Sequence, residues 1–233
     1  MKACVAWIAL LAALPTPALA QAYQCAPPLR IAPLPQARPD GPPRRAAIAG
    51  FTLAASWSPE YCRSEGERAP LQCSGANGRF GFVLHGLWPE ARSGPPPQYC
   101  ATVPAPTPEL LRRQLCVTPD PGLIAHEWAK HGSCMTRSPD RYLRVSTILW
   151  RSLRWPDADR LSRDPALTAG QFREAFVTAN AGWRTRSIGL VTGRSGWLRE
   201  VQLCYGADFR PADCPRSRMG PGDSAPLNIW RGL

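Results

Sequence analysis

The chain has 233 residues, with 28 lysine and arginine residues against 17 aspartate and glutamate residues, which gives a formal net charge of +11. This length fits one domain with a substantial core, and no segment after residue 20 is long and apolar enough to span a membrane. We therefore expect a soluble mature protein. The positive charge favours a polyanionic partner such as nucleic acid, although genome coding bias also produces arginine-rich chains.

The first 20 residues have the pattern of a secretory signal peptide. Lys2 precedes an apolar stretch over residues 3–14, and Ala18 and Ala20 have the spacing of a signal-peptidase site. An N-terminal membrane anchor is the alternative, but the apolar stretch is shorter than the ~20 residues of a spanning helix. Cleavage would remove Cys4 and leave eight of the nine cysteines, an even number that predicts four disulfides formed in the periplasm or outside the cell.

The next segment, residues 21–47, is rich in proline and has no sustained apolar period. We therefore expect an extended arm that is attached to the rest of the protein through Cys25. A single catalytic domain is predicted over residues 48–233.

Apolar patterns predict the elements of this domain. The first strand, within residues 50–59, is expected to be half-buried, and the second, within residues 78–89, to give way near His85 to a turn at Gly86. Further helices are predicted within residues 109–116, 123–134, 140–154 and 169–182, and further strands within residues 187–193 and 197–206. The sequence has no repeat, heptad pattern or glycine-rich phosphate loop. This order predicts an α+β fold with a central antiparallel sheet flanked by helices.

All three histidines of the chain lie in two short segments, FVLHGLWPE and IAHEWAKHGSC. On an α-helix the charged residues of HEWAKH fall within an arc of roughly 140°, whereas Trp128 lies off this arc and is expected in the core. The residues of the arc are, in angular order, His126, Lys130, Glu127 and His131. A solvated polar helix face is the alternative, but such a face does not require two of the three histidines.

A catalytic metal site is the competing interpretation of HEWAKH. The zinc-protease helix places its histidines four residues apart, whereas His126 and His131 are five apart and would point in different directions on an α-helix. We therefore predict no metal and no cofactor, and acid-base chemistry by the histidines. Cleavage of RNA fits these groups because it needs a base for the 2′-OH, an acid for the departing 5′-oxygen and cations for the phosphorane.

The segments FVLHGLWPE and HEWAKHGSC resemble the two active-site segments of the ribonuclease T2 family, exported endoribonucleases that act without metal. SWSPEYC and EVQLCYG resemble further segments of that family, and the similarity is greatest over residues 50–145. The resemblance implies a disulfide-stabilised, ribonuclease T2-like fold. It also implies cleavage of single-stranded RNA through a 2′,3′-cyclic phosphate to 3′-phosphate ends.

Position by position, the resemblance implies a role for each charged residue of the two segments. His85 would protonate the 5′-oxygen, and His131 would take the 2′-OH proton. His126 would hold the phosphate, and Glu127 with Lys130 would stabilise the phosphorane. The two proton-transferring histidines would exchange roles when water opens the cyclic phosphate.

The family's broad base tolerance implies a site that stacks on bases. Trp88 is the candidate platform, with Glu90 and Tyr99 as neighbours. The alternatives are that Trp88 packs against His85 to orient it, and that the other two are ordinary loop residues.

The resemblance also implies how the cysteines pair. The implied pairs are Cys62 with Cys73, Cys100 with Cys134 and Cys204 with Cys214, which leaves Cys25 for Cys116.

The leading hypothesis is an exported, metal-independent endoribonuclease. We expect a monomer with single-stranded RNA as its substrate, no obligate protein partner and no membrane attachment. A basic nucleic-acid-binding or toxin-like protein on the same scaffold, with little turnover, is the alternative. The combination of His85 and His131 favours the enzyme, because binding alone needs neither.

Overall fold

The computed structural model describes residues 22–23 and 25–232. Its strands are β1 (Ala22–Tyr23), β2 (Ile48–Trp57), β3 (Arg79–Phe80), β4 (Phe82–Ala91), β5 (Ile188–Thr192) and β6 (Leu198–Gly206). Its α-helices are α1 (Ser58–Glu65), α2 (Pro70–Cys73), α3 (Pro108–Gln114), α4 (Pro121–Glu127), α5 (Ser133–Met135), α6 (Pro139–Arg151), α7 (Ala158–Leu161), α8 (Ala169–Ala179) and α9 (Arg216–Met219). Shorter 3₁₀ turns cover Gly66–Arg68, Thr185–Ser187 and Arg194–Gly196, and a π-helical segment covers Trp128–Gly132.

Four strands form the central sheet in the order β4-β2-β6-β5, and every neighbouring pair is antiparallel. Helices pack their apolar side chains against it, and the shared core includes Tyr142 and Trp150 of α6 and Phe172 and Phe176 of α8. The predicted α+β architecture with a central antiparallel sheet is confirmed. Among the helices of the described residues, none is long and apolar enough to cross a membrane.

Strand β2 lies between β4 and β6, and this position corrects the prediction of a half-buried strand. Residues 50–55 are all buried rather than alternately exposed. Phe51 and Leu53 join the main hydrophobic core, while Thr52 points to the other face and donates a hydrogen bond to Glu90. Apolar and polar residues alternate in a strand with one solvent-exposed face, but a strand covered on both faces has no such exposed positions.

The predicted proline-rich arm contains no helix over residues 25–47. It is attached to the domain by the Cys25–Cys116 disulfide and by a hydrogen bond from Arg112 to the carbonyl of Pro28. Further along, Arg44 and Gln98 exchange two backbone hydrogen bonds. The division into a signal peptide (1–20), an arm (21–47) and a domain (48–233) stays a prediction, and residues 1–20 lie outside the described residues.

The structure contains four disulfides among the described residues. They join Cys25 to Cys116, Cys62 to Cys73, Cys100 to Cys134 and Cys204 to Cys214. These are the same pairs that the resemblance implies. The Cys100–Cys134 bridge ties the loop before α3 to the end of the histidine-rich segment.

Two local predictions are wrong. The strand that carries His85 does not give way to a turn at Gly86 but continues as β4 to Ala91. The helix expected within residues 123–134, ending at Gly132, is α-helical to Glu127, and the chain then widens into the π-helical segment over Trp128–Gly132. Trp128 lies in the core, as predicted, with 1% of its surface exposed.

Candidate active site

His85 is positioned by a β-bulge in the middle of β4. Ala54 of β2 pairs with Gly86 and Ala55 pairs with Leu84, so His85 has no partner in the register of the two strands. A bulge inserts one residue, bends the strand and redirects a side chain, which is why bulges are common beside active sites. In place of the turn predicted at Gly86, the structure has a change of register within a continuous strand.

Gly86 allows Glu127 to approach β4 closely. A Cβ atom at Gly86 would overlap Oε2 of Glu127 and would lie 2.8 Å from Nε1 of Trp88. Glu127 is 4% exposed, and its carboxylate accepts a 2.7 Å hydrogen bond from Nε1 of Trp88. Burial raises the pKa of Glu127 to about 7, against the opposing effects of His85 and Trp88. A glycine is needed here because any larger residue would displace the carboxylate.

The His85 imidazole lies between two carboxylates. Its Nδ1 atom is 2.6 Å from Oε2 of Glu200, and its Nε2 atom is 3.6 Å from Oε1 of Glu127. Burial alone lowers the pKa of His85, but the hydrogen bond with Glu200 and the two negative charges outweigh burial and raise the pKa to about 9. His85 is therefore an imidazolium at neutral pH.

Glu200 was not predicted from the sequence as a residue of the site. It lies on β6, where it pairs with Ser56 of β2, and its other oxygen accepts a 2.8 Å hydrogen bond from Gln202. Burial raises the pKa of Glu200, but the hydrogen bond and charge of His85 outweigh this effect and lower it. Glu200 is the only acidic residue in the sequences of β5 and β6, and this isolated charge could have indicated its role.

His131 lies in the π-helical segment and has an environment opposite to that of His85. Its Nε2 atom is 3.9 Å from Oε2 of Glu127, and the described residues provide no hydrogen-bond partner for its buried Nδ1 atom. Burial, followed by the positive charge of Lys130 and the nearby histidines, lowers the pKa of His131 to about 3. His131 is therefore a neutral imidazole at physiological pH, and a π-turn is a frequent feature of functional sites.

His126 and Lys130, the other two residues of the predicted arc, contact the carboxylate of Asp40, which was not predicted from the sequence. Asp40 of the arm lies with Oδ2 2.8 Å from Nζ of Lys130 and 3.6 Å from Nε2 of His126. The hydrogen bond with Lys130 is the main cause of a lowered pKa at Asp40. Burial is the main cause of a lowered pKa at His126. Asp40 is the only acidic residue within residues 21–47, and this could have indicated a specific contact.

The candidate base-binding residues have different surroundings. Trp88 is half-buried between His85 and His131, with ring centroids 5.3 and 5.6 Å away. Glu90 accepts hydrogen bonds from Thr52 and Arg218. Tyr99 is 7% exposed and donates a 2.8 Å hydrogen bond to Asp40, so little of its ring is free for stacking. Base binding by these three residues stays a prediction.

Taken together, Glu127 has His85 on one side and His131 on the other, while His126 and Lys130 face Asp40. This arrangement offers a proton donor, a proton acceptor and a cationic group around one buried carboxyl. Within residues 25–232, no group of three or more histidine, cysteine, aspartate or glutamate side chains is arranged to hold a metal ion.

Similarity to known proteins accords with this geometry. The chain matches the model of the Ribonuclease T2 family over residues 49–157. A probable ribonuclease of Haemophilus influenzae is 36% identical over 187 residues, which cover 73% of this chain and 62% of that protein. A ribonuclease of Aeromonas hydrophila is 36% identical over 161 residues, covering 66% of this chain and 70% of that protein.

The fold is also similar to that of solved structures. An RNase-related protein from Calystegia sepium superimposes with a TM-score of 0.63 at 20% identity, covering 79% of this chain and 98% of that chain. The ribonuclease T2-like fold predicted from the two segments is thereby confirmed. Sequence similarity over most of the chain and a shared fold lead to one conclusion: the chain belongs to the ribonuclease T2 family.

Proposed function

We propose that this protein is an exported endoribonuclease that cleaves single-stranded RNA by attack of the 2′-OH on the adjacent phosphate. The observation that carries this function is the pair of histidines on either side of Glu127. Their environments move their pKa values in opposite directions, to about 9 for His85 and about 3 for His131. At neutral pH these environments keep His85 protonated and His131 neutral, the states that a general acid and a general base require.

In the first step, neutral His131 accepts the proton of the 2′-OH, and the 2′-oxygen forms a bond to phosphorus. The bond from phosphorus to the 5′-oxygen breaks, and His85 donates its proton to that oxygen. The products are a 2′,3′-cyclic phosphate and a free 5′-hydroxyl. In the second step the roles reverse: neutral His85 takes a proton from water, which opens the cyclic phosphate, and His131 protonates the departing 2′-oxygen.

Glu200 supports this mechanism by orienting the acid. Its carboxylate accepts a hydrogen bond from Nδ1 of His85, which leaves the Nε2 proton free to be donated. A carboxylate behind an imidazole fixes the ring and stabilises its charged form. Glu200 is thus a positioning residue, whereas His85 transfers the proton.

Charge on the phosphorane is balanced by the residues around Glu127. His126 holds a phosphate oxygen and Lys130 adds a positive charge beside it, as donors aimed at developing negative charge do in other enzymes. Glu127, with its pKa near neutrality, is protonated in part of the molecules and can then donate a hydrogen bond to the phosphorane. Neither role needs a metal ion or another cofactor.

The remaining properties follow from the sequence. Residues 1–20 direct export to the periplasm or the medium, where the four disulfides form. Without Lys2 of the signal segment the chain carries 27 lysine and arginine residues against 17 acidic residues, and this net charge of +10 attracts long RNA by electrostatic steering and counterion release. The protein acts as a monomer, without an obligate protein partner and without attachment to a membrane.

Activity is tested by incubating the purified protein with single-stranded RNA and with DNA of the same sequence, both in excess EDTA. We expect cleavage of the RNA alone, with cyclic phosphate ends appearing before 3′-phosphate ends in chromatography. Intact RNA would contradict the enzymatic function. Primary products with 5′-phosphates would mean that water attacks phosphorus directly, and cleavage only without EDTA would indicate a metal-dependent reaction.

A further inference from the structure

Asp40 brings a negative charge into a group of residues that otherwise suits an anion. Its Oδ2 atom lies 2.8 Å from Nζ of Lys130 and 3.6 Å from Nε2 of His126. It is the only acidic residue within residues 21–47. A carboxylate at this point competes with a phosphate for the same ammonium group.

The position of Asp40 is fixed by contacts on both sides. The hydroxyl of Tyr99 donates to Oδ1 of Asp40 and accepts a hydrogen bond from the Asp40 backbone. The side chain of Gln98 donates to the carbonyl of Pro42, and the backbone of Tyr99 donates to the carbonyl of Lys130. The arm and the π-helical segment are therefore held to each other through the loop that contains Tyr99.

We propose that Asp40 is a specificity-determining residue that makes the phosphate subsite of His126 and Lys130 select singly charged phosphodiesters over doubly charged phosphomonoesters. This role rests on the proposed function, which assigns the phosphate to that subsite. The substrate and the cyclic intermediate each carry one charge at the reacting phosphate. The final 3′-phosphate carries close to two negative charges at neutral pH, since the second ionisation of a phosphomonoester has a pKa of about 6.

The selectivity follows from Coulomb's law, because the repulsion between Asp40 and a bound anion is proportional to the anion's charge. If both anions bind at the same position, the repulsive free energy from Asp40 is twice as large for a dianion as for a monoanion. The factor by which Asp40 raises the Kd of the dianion is therefore the square of the factor for the monoanion. Lys130 can still bind a diester, because an ammonium group has three donors and Asp40 uses one of them. The consequence for catalysis is rapid release of the 3′-phosphate product.

Two deoxynucleotide ligands test this role by isothermal titration calorimetry at pH 7.5 and low salt. The first is a deoxydinucleoside phosphate, a diester that lacks the attacking 2′-OH, and the second is the deoxynucleoside 3′-phosphate with the same first base. The proteins are the wild type, Asp40→Asn, Asp40→Ala and the control Asp159→Asn. Asp159 is also an exposed aspartate in a 2.8 Å ion pair, with Arg163, so its substitution controls for the change in net charge.

We expect Asp40→Asn and Asp40→Ala to bind the diester about threefold more tightly than the wild type and the monoester about tenfold more tightly, in keeping with the squared factor. Asp159→Asn should bind both ligands as the wild type does. An equal change for the two ligands, or weaker binding of both, would overturn the selectivity and would mean that Asp40 only positions Lys130.

These outcomes are separate from failure of the proposed function. Calorimetry with uncleavable ligands does not depend on turnover, so the selectivity can hold in a protein that leaves RNA intact. If the wild type and the Asp40 variants bind neither ligand, the placement of the phosphate is wrong, and the role of Asp40 is overturned with it.

Discussion

Nδ1 of His85 and Oε2 of Glu200 lie 2.6 Å apart, although 115 residues separate them in the chain. The contact exists because β2 pairs with both β4 and β6, which brings the bulge at His85 and the side chain of Glu200 to the same region of the sheet. Glu200 keeps the His85 imidazole charged in spite of its burial. This pair sets the pH range in which the proposed general acid holds its proton.

Glu200→Gln should move the alkaline limit of activity to lower pH. The reaction needs His85 in its charged form, so activity is present below the pKa of His85 and is lost as the pH rises through it. Removal of the Glu200 charge lowers this pKa, and the loss should begin roughly one pH unit or more below that of the wild type. The measurement is kcat/KM on a dinucleotide between pH 5 and about 10, with the exposed Glu174→Gln as the control. An unchanged alkaline limit would show that Glu200 does not control the acid.

Gly86→Ala should reduce turnover because the added methyl group would overlap the Glu127 carboxylate. A displacement of about 1 Å at a reacting group costs on the order of 100-fold in rate. The control is Gly222→Ala, whose methyl group would meet no atom within 4 Å. Steady-state kinetics and circular dichroism check the result. Normal turnover by a folded Gly86→Ala protein would mean that Glu127 need not occupy its buried position.

Trp88→Phe separates two roles of the tryptophan. The substitution keeps an aromatic ring for a base to stack on but removes the Nε1 donor that bonds to Glu127. Without this donor the Glu127 carboxyl is held less firmly beside the two histidines, so kcat should fall about tenfold with little change in KM. A large rise in KM with normal kcat would instead identify Trp88 as a base platform whose indole ring is required.

Salt should affect long and short substrates differently. If the basic surface captures RNA, KM for a long strand should rise steeply between about 50 and 200 mM salt because bound counterions are released on binding. Turnover of a dinucleotide, which contacts few phosphates, should change much less. Equal salt dependence for the two substrates would mean that the basic surface does not capture long RNA.

The sequence predicted what depends on local patterns. Apolar periodicity indicated β2, α6 and the last two strands. In the structure, α8 begins with a capping box formed by Thr168 and Gln171. The π-helical segment was missed, because ideal α-helical geometry had been extended through Trp128 and Ala129 to Gly132. A Cβ atom at Gly132 would lie 2.5 Å from the Trp128 ring and 2.7 Å from that of Tyr142. This close packing involves Tyr142 of α6, a contact that the periodicity of residues 123–134 alone cannot predict.

The two acidic residues of the site were missed for a similar reason. Glu200 reaches His85 through strand pairing, and Asp40 reaches Lys130 because the arm folds back along the loop of Tyr99. Both contacts join segments that are far apart in the chain, so no local motif contains them. The residues within the two histidine-rich segments could be found because their clustering is local.

The most direct test of the central claim is the rate on a dinucleotide in which sulfur replaces the departing 5′-oxygen. A thiolate leaves without protonation, since a thiol has a pKa of about 8.5, so this substrate needs a base but no acid. On the ordinary dinucleotide, His85→Ala and His131→Ala should each lose about 10² to 10⁴-fold in kcat. On the sulfur substrate, His85→Ala should recover nearly the wild-type rate, while His131→Ala stays slow. An equal loss for His85→Ala on both substrates would contradict the assignment of His85 as the general acid.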